Sequence, residues 1–348
     1  MRVITDSIQD LAVGMVSFIH LALFMMEASS PVSKGPPNKV LLMGRAGNGK
    51  TSMRSIIFAN YGAKETGRLH PTNQVEHSSF RFMGNLMLSL WDCGGQDVFM
   101  ENYFESQKDH IFRNTMILIY VLSAAAVATD GPDAQKEMSY FRNTVESLRS
   151  LSPDARLYVL VHKADLVPPH DRVNVFNRTS DNIRSIAAGM TTECFLTSIW
   201  DETLYKAWSR IVHSMMPHMD ELEKELMFIA ETIEADEVVL FEKSTFLVIA
   251  HATRKNFADS LRFEKISNIV KQFKLGVNRE HNTFSTLDIQ TSSFRAYMDR
   301  FTPNTFILVI TSKPDIQPAA TVYNVSAARA HFVKLTRDSS DGALGMYL

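Results

Sequence analysis

Apolar and polar residues follow one another along the chain in a pattern that changes once, at Pro217. Before that residue, short apolar runs alternate with stretches of helical spacing, which predicts a mostly parallel sheet with helices on both faces. Two of the runs, 116–122 and 157–161, are apolar throughout, as expected of strands buried on both faces. The predicted strands are 40–43, 79–82, 86–91, 116–122, 157–161 and 195–199, and the predicted helices are 52–61, 134–148 and 202–215.

After Pro217 the order of elements is different. A helix is predicted first, then a hairpin, and then further strands interleaved with helices. This arrangement predicts a second, smaller α/β domain. We therefore divide the chain into an extension at 1–38, a first domain at 39–217 and a second domain at 218–348. The second domain's predicted elements are the helices 219–233, 263–273 and 319–334 and the strands 238–241, 245–250, 285–289 and 305–311.

Composition and charge narrow the possible functions. The 348 residues are 45% hydrophobic and 21% charged, which is ordinary for a globular protein of two domains. A formal net charge of -2, without a basic run, gives no attraction to nucleic acid, so we expect no nucleic-acid partner. The two cysteines, Cys93 and Cys194, are expected to be reduced and unpaired in a cytoplasmic protein.

The first 38 residues contain an apolar stretch, 11–26, that is shorter than the roughly 20 residues a membrane-spanning helix needs. No basic segment precedes it, and the Pro36-Pro37 pair after it is typical of a linker. We expect 1–38 to be a disordered or artefactual extension; a surface-seeking helix or a targeting signal stays open as an alternative. Because Arg2 excludes N-myristoylation and the last residues include no prenylatable cysteine, we expect only indirect membrane association.

The strongest chemical signal is a phosphate-binding loop between a predicted strand and a predicted helix. It matches G-x-x-x-x-G-K-[ST], in which glycines turn backbone N–H groups toward phosphates at a helix N-terminus. Lys50 is expected to reach the β- and γ-phosphates, and the Thr51 hydroxyl is expected to ligate Mg²⁺. The predicted nucleotide-binding residues of this segment are Gly44, Arg45, Ala46, Gly47, Asn48, Gly49, Lys50, Thr51 and Ser52.

A second motif, Asp92-x-x-Gly95-Gln96, follows another predicted strand. We predict that Asp92 holds Mg²⁺ and that the Gly95 backbone N–H contacts the γ-phosphate. Gln96 is the predicted catalytic residue, because a glutamine there orients the attacking water. Between the two motifs lies Thr72, whose hydroxyl is predicted, from its position, to complete the metal shell.

A third motif selects the base. His162-Lys163-Ala164-Asp165 resembles the N-K-x-D motif of GTPases, with the Asp165 carboxylate accepting hydrogen bonds from guanine and repelling adenine. His162 stands where asparagine is usual, which leaves its contact with the base open; taken alone, this stretch also fits a strand end with a solvated Lys–Asp pair. After the next strand, Ser198 and Ile199 are the predicted backbone contacts to guanine.

From about Lys39 onward the chain resembles the Rag GTPases, and within them the RagA/RagB class. The resemblance includes the His-Lys-x-Asp motif, so His162 departs from Ras-like proteins but not from this family. The matching segments are 50–61, 75–78, 90–97, 100–104 and 197–208 in the first domain and 234–238, 263–269 and 271–275 in the second. The chain departs from the family pattern at 70–74, His-Pro-Thr-Asn-Gln instead of Gly-Ala-Thr-Ile-Asp, and at 123–132.

The resemblance implies a roadblock/longin-like second domain that pairs with a GTPase of the RagC/RagD class. It also implies that the heterodimer docks on a Ragulator-type scaffold and is regulated by a GTPase-activating complex. The output implied is amino-acid signalling to the target-of-rapamycin kinase complex. The expected location is the cytoplasm, peripheral on the lysosomal or vacuolar membrane.

The motifs favour a slow, partner-regulated GTP hydrolase that binds GTP or GDP with Mg²⁺, and two other functions stay open. One is an Arf-like membrane GTPase, and the other is a nucleotide-binding scaffold with negligible turnover. No arginine is recognisable as a cis finger, which predicts slow hydrolysis. Segments 263–273 and 305–311 have more apolar residues than a small domain needs, so we expect the second domain to pair with another subunit.

Overall fold

The structure of the protein is a computed structural model. It describes residues 38–72, 75–81, 87–98, 100–101, 106–129, 131–215, 219–255, 259, 262–279 and 285–329. The predictions for 1–37 and 330–348, the predicted strand ends at 82 and 86 and the predicted domain boundary at 217–218 lie outside these residues. The described residues form two compact units that divide between Ile211 and Val212. Within the described part, no helix is both long enough and apolar enough to span a bilayer.

The first unit contains a six-stranded sheet in the order β2-β3-β1-β4-β5-β6. Its strands are β1 (Asn38–Met43), β2 (Glu76–Arg81), β3 (Met87–Asp92), β4 (Thr115–Ser123), β5 (Arg156–His162) and β6 (Thr192–Thr197). Only β2 is antiparallel, and it pairs with β3. The predicted mostly parallel sheet is therefore confirmed.

Helices cover both faces of this sheet, because consecutive residues of β1 such as Val40 and Leu41 are buried on opposite sides. The helix Arg172–Ile186 was not predicted, because most of its residues are polar and no apolar residue stands between Phe176 and Ile183. The helices of the unit are Lys50–Phe58, Lys108–Phe112, Ala124–Val127, Pro132–Leu151, Arg172–Ile186 and Thr203–His213, the last of which ends two residues after the division, with 3-10 segments at Ala63–Arg68 and Ala164–Leu166.

The parallel strands place all the sequence motifs at one edge of the sheet. The phosphate loop follows β1, Asp92 ends β3, the His-Lys-x-Asp motif begins at the end of β5, and Ser198 follows β6. β1 lies between β3 and β4, where the strand order reverses, and open α/β sheets bind ligands at such a point. The topology thus positions one site at this edge.

The second unit contains a five-stranded antiparallel sheet in the order β8-β7-β11-β10-β9. Strand β10 was missed by the sequence prediction, because charged residues such as Asp299 and Arg300 interrupt its apolar pattern. The elements are the helices Met219–Thr232, Arg262–Arg279 and 318–329 and the strands β7 (Glu237–Glu242), β8 (Val248–Thr253), β9 (Thr286–Gln290), β10 (Arg295–Thr302) and β11 (Thr305–Thr311).

Helices cover both faces of this second sheet as well. Leu226 and Val325, from the first and last helices, pack in one core cluster, and Val270 from the helix Arg262–Arg279 packs in another. The prediction that segment 305–311 has more apolar residues than the domain needs is wrong. This segment is β11, which lies between β7 and β10, and its apolar side chains are buried in the two core clusters. The helix Arg262–Arg279 does leave Ile269 and Phe273 63% and 50% exposed.

Candidate functional site

The phosphate loop joins β1 to the helix Lys50–Phe58. Gly47 and Gly49 adopt φ values of +80° and +89°, a left-handed conformation in which other residues are strained. Lys50 begins the helix, and its Nζ donates to the carbonyl oxygens of Gly44 at 2.7 Å and Arg45 at 3.0 Å. Burial lowers the pKa of Lys50, and the neighbouring carboxylate of Asp92 opposes that shift. The lysine is thus fixed at the mouth of the loop.

A cavity of about 350 Å³ opens beside this loop, a size typical of small-molecule sites. It brings together residues predicted from three separate motifs and from the intervening loop. Those predicted residues are Ala46, Gly47, Gly49, Lys50, Thr51, Ser52, Thr72, Gly95, Gln96 and Lys163, and Thr66, Leu69, His70 and Pro71 complete the lining.

The three predicted metal ligands converge at this cavity. Thr51 Oγ1 lies 2.6 Å from Thr72 Oγ1 and donates to Asp92 Oδ2 at 3.0 Å. Asp92 is fully buried, and its second oxygen, Oδ1, has no hydrogen-bond partner within the described residues. A buried carboxylate oxygen with unused capacity beside two hydroxyls is the all-oxygen donor set that Mg²⁺ prefers.

Arg54 is a residue of this site that the sequence prediction missed. Its Nε lies 3.2 Å from Asp92 Oδ2, and its Nη2 pairs with Glu76 at 2.6 Å on the neighbouring β2. Burial raises the pKa of Asp92, while Lys50 and then Arg54 oppose that shift. The signal available in the sequence was spacing, since Arg54 stands three positions after Thr51 and so shares its helix face.

Gly95 touches the phosphate loop directly. The Ala46 N–H donates to the Gly95 carbonyl at 2.6 Å. A Cβ at position 95 would lie 2.4 Å from Gly44 O and from Ala46 N, which leaves no room for any side chain. Gln96 follows, exposed and lining the cavity, so the predicted catalytic side chain lies beside the predicted phosphate ligands.

The Asn48 side chain turns away from the cavity, into the core. Its Nδ2 donates to Val121 O at 2.8 Å and to Glu137 Oε1 at 2.9 Å. Both side chains are buried, and burial raises the pKa of Glu137 to about 6. Glu137 belongs to the helix Pro132–Leu151 and was not anticipated, because this contact joins residues 89 positions apart. A nucleotide contact by Asn48 is therefore restricted to its backbone.

His162 occupies the base end of the site but packs inward. Its Nδ1 lies 2.9 Å from Thr197 Oγ1, its registered neighbour on β6. Its other edge faces Gly49, where an added Cβ would lie 2.8 Å from the ring. Burial lowers the pKa of His162 to about 4, so the ring is neutral at physiological pH. The residue in the asparagine position thus links the base end to the phosphate loop.

The remaining base-end residues are held by a small hydrogen-bond network. Ser198 Oγ donates to Asp165 Oδ1 at 2.6 Å and accepts from the Trp200 N–H at 3.2 Å. The Ser198 N–H donates to Thr203 Oγ1 at 3.0 Å. The predicted Asp165 and Ser198 therefore lie together, and Ile199 follows Ser198 in the chain, but the Ser198 N–H that was predicted to contact guanine is bonded to Thr203 instead.

Comparison with protein families supports a guanine-nucleotide site. The family model described as the Gtr1/RagA G protein conserved region matches residues 39–270. That match covers the whole phosphate loop, the Asp92–Gln96 motif and both base-end motifs. It continues through much of the second unit, as far as the helix that exposes Ile269.

Individual relatives extend this match to most of the chain. "Ras-related GTP-binding protein A" of Dictyostelium discoideum is 49% identical over 303 residues, covering 87% of this chain and 99% of that protein. "GTP-binding protein gtr1" of Schizosaccharomyces pombe is 47% identical over 306 residues, covering 87% and 97%. A more distant relative is "Ras-related GTP-binding protein C" of Homo sapiens, 26% identical over 219 residues, covering 61% and 52%.

Proposed function

Because the chain belongs to the Gtr1/RagA family of G proteins, we propose that its cavity holds Mg²⁺-GTP and that slow hydrolysis there switches a Rag-type heterodimer. Family membership makes the chain a guanine-nucleotide-binding switch and a GTP hydrolase. The metal, the residue roles and the signalling context are the proposal. The observation that carries it is the convergence of Thr51, Thr72 and Asp92 beside Lys50 and Gln96.

The oxygen donors fit Mg²⁺ and would hold it at Thr51, Thr72 and Asp92, where it would offset phosphate charge. Lys50 supplies a further positive charge to the phosphates. Gln96 orients the attacking water, and no arginine is found among the described residues that line the cavity. GTPases without such an arginine turn over at roughly 10⁻⁴ to 10⁻³ s⁻¹, which lets regulatory partners set the timing.

The test uses the purified full-length chain with GTP and Mg²⁺. We expect Thr51→Leu to lose Mg²⁺-dependent nucleotide binding, whereas Thr51→Ser, which keeps the hydroxyl, retains it. Gln96→Leu is expected to bind GTP normally but to hydrolyse it at least tenfold more slowly in a single turnover, by loss of water positioning. Gln135→Leu, an exposed glutamine outside the cavity, is the control. Unchanged GTP affinity in Thr51→Leu, or unchanged hydrolysis in Gln96→Leu, would contradict the proposed roles.

The partner part of the proposal concerns the second unit. We propose that it pairs with a GTPase of the RagC/RagD class, and a protein of that class is a distant relative of this chain. Ile269 and Phe273, one turn apart on the helix Arg262–Arg279, offer an exposed apolar strip for that contact. Ile269→Asp is expected to reduce co-purification of a RagC-class protein, whereas Val173→Asp, equally exposed in the first unit, is not. Equal recovery with both variants would contradict this surface.

The remaining context rests on the family resemblance. We propose docking of the heterodimer on a Ragulator-type scaffold at the lysosomal or vacuolar surface, control by a GTPase-activating complex and signalling to the target-of-rapamycin complex. Affinity purification from native cells, with the partners identified by mass spectrometry, tests all three. The Arf-like alternative is disfavoured by relatives that share 47–49% identity over 87% of the chain. Measurable GTP hydrolysis by the wild-type chain would exclude a scaffold without turnover, and its absence would support one.

A further inference from the structure

One face of the helix Pro132–Leu151 contacts both the phosphate loop and the segment of Gln96. Residues that fall at i, i+3, i+4 and i+7 on a helix share a face. The four residues at this spacing are Asp133, Lys136, Glu137 and Tyr140. Two of them hold the phosphate loop, and the other two hold the residue that follows Gln96.

The phosphate-loop contacts come from Asp133 and Glu137. Glu137 accepts the buried hydrogen bond from Asn48, and Asp133 pairs with the Arg45 guanidinium at 3.3 Å. The Asp133 side chain is 78% exposed, so its ion pair is weak, and the buried contact is the main attachment. The back of the phosphate loop is thus fixed to this helix.

The other two residues hold Asp97 by both carboxylate oxygens. Lys136 Nζ lies 2.5 Å from Asp97 Oδ2, and the Tyr140 hydroxyl donates to Asp97 Oδ1 at 3.1 Å. The hydrogen bond from Lys136, followed by the one from Tyr140, lowers the pKa of Asp97, so the carboxylate stays charged at neutral pH. Asp97 begins a helical turn in which the Met100 N–H donates to the Gln96 carbonyl at 3.0 Å.

We infer that Lys136 and Tyr140 are positioning residues for GTP hydrolysis, because by holding Asp97 they place Gln96 against a phosphate loop fixed to the same helix. The inference rests on the proposed function, in which Gln96 orients the attacking water. Neither side chain lines the cavity, so both act through Asp97. Catalysis is sensitive to such placement, since a shift of about 1 Å can cost about a hundredfold in rate.

The experiment measures single-turnover hydrolysis and GTP affinity of the full-length chain with Mg²⁺. Because the Lys136–Asp97 pair is about half exposed, Lys136→Met is expected to slow hydrolysis only about threefold. Lys136→Met combined with Tyr140→Phe is expected to slow it about tenfold, with GTP affinity changed less than twofold. Arg142→Met, an exposed cation on the same helix outside these contacts, is the control and leaves the rate unchanged.

Two further readouts separate positioning from a general structural effect. Exchanging the charges, Asp97→Lys with Lys136→Asp, is expected to restore part of the rate that either single variant loses. Raising the salt concentration is expected to slow the wild-type chain more than Lys136→Met, because the half-exposed Lys136–Asp97 pair is screened and is absent from the variant. With a non-hydrolysable GTP analogue bound, the amides of Gln96 and Asp97 are expected to exchange hydrogen faster in the double variant.

The outcomes distinguish this inference from the proposed function. Unchanged hydrolysis and unchanged amide exchange in the double variant would overturn the inference, as would a loss of GTP affinity equal to the loss of rate. Hydrolysis by the wild-type chain no faster than by Gln96→Leu would instead overturn the proposed role of Gln96. In that case the amide exchange still tests whether Lys136 and Tyr140 hold the segment.

Discussion

The two ends of the nucleotide site each contain a buried ionisable side chain, and the two respond oppositely to pH. At the phosphate end Glu137 supports Asn48, and at the base end His162 lies between Thr197 and Gly49. Burial favours the neutral form in both cases: it raises the pKa of Glu137 to about 6 and lowers that of His162 to about 4. Burial therefore makes the phosphate end less stable at high pH and the base end less stable at low pH.

The ends also differ in what holds them. Glu137 reaches the phosphate loop from a helix 89 residues away in sequence, through one side-chain contact. His162 and Thr197 are partners in the register of neighbouring strands, so the sheet itself fixes their distance. The base end is thus built into the backbone ladder, whereas the phosphate end depends on side chains. The first of the following predictions concerns the contact between the two ends, and each of the others concerns one end.

The largest effects, of about 3 kcal/mol each, are expected at Gly49, where the two ends touch, and at His162. Gly49→Ala is expected to lower the free energy of unfolding by about 3 kcal/mol, from left-handed strain and the clash with the buried His162 ring. Gly47→Ala is the control, because its φ is similar but its Cβ meets nothing within 4 Å, and we expect it to lose about 1 to 2 kcal/mol. Urea unfolding of the nucleotide-free chain measures both, and equal losses would contradict the contact with His162.

Acid is expected to weaken the base end. His162 has a folded pKa of about 4, below its ordinary 6.5, so its contribution is complete above pH 6.5 and is lost as the pH falls toward 4. The stability of the wild-type chain relative to His162→Asn should fall by about 3 kcal/mol across that window. His170→Gln, which replaces an exposed histidine, is the control. A difference between wild type and His162→Asn that does not change with pH would refute the prediction.

The phosphate end is expected to show the reverse dependence. Glu137 has a folded pKa of about 6, above its ordinary 4.5, so its contribution is present below pH 4.5 and is lost as the pH rises through 6. Relative to Glu137→Gln, the wild-type chain should lose about 2 kcal/mol over that range in chemical unfolding. Glu146→Gln, exposed on the same helix, should show no such trend. A fall toward acid instead of toward base would mean that burial does not govern this carboxyl.

The smallest effect concerns base selection. Ser198→Ala removes the hydrogen bond that orients Asp165, so GDP affinity is expected to fall about fivefold, or about 1 kcal/mol. Affinity for inosine diphosphate should fall less, because that base lacks the amino group that a carboxylate recognises. Ser150→Ala, on the surface, is the control in equilibrium titrations. Equal losses for both nucleotides would show that Ser198 does not act through Asp165.

The fold and the outline of the site were predictable because they depend on local patterns. Apolar runs such as 116–122 identified the buried strands, and glycines with Lys50 and Thr51 identified the phosphate loop. Since parallel strands bring their carboxyl ends to one edge, the order of the motifs was enough to place them together. The strand β10 and the helix Arg172–Ile186 were missed because their sequences are too polar for a clear period.

The remaining features depend on long-range packing, which no local pattern encodes. In the sequence, Glu137 and Tyr140 are not distinguishable from other residues of an amphipathic helix. Only the fold shows that Glu137 contacts the phosphate loop and that Tyr140 contacts Asp97. The inward packing of His162 follows from the β5–β6 register, which the motif alone does not specify. The apolar residues of β11 were predicted to form an exposed surface, because its position in the middle of the sheet depends on four other strands and is not visible in its own sequence.

The contact between Gly95 and the phosphate loop has a consequence for heritable variation. Position 95 abuts backbone atoms of Gly44 and Ala46, so the smallest possible replacement already forces two chain segments apart. Every missense codon there should consequently behave alike, whatever the chemistry of the new side chain. At Gly67, by contrast, an added Cβ meets nothing within 4 Å, so we expect substitutions there to be tolerated. Two glycines in the same unit thus differ in mutational tolerance through volume alone.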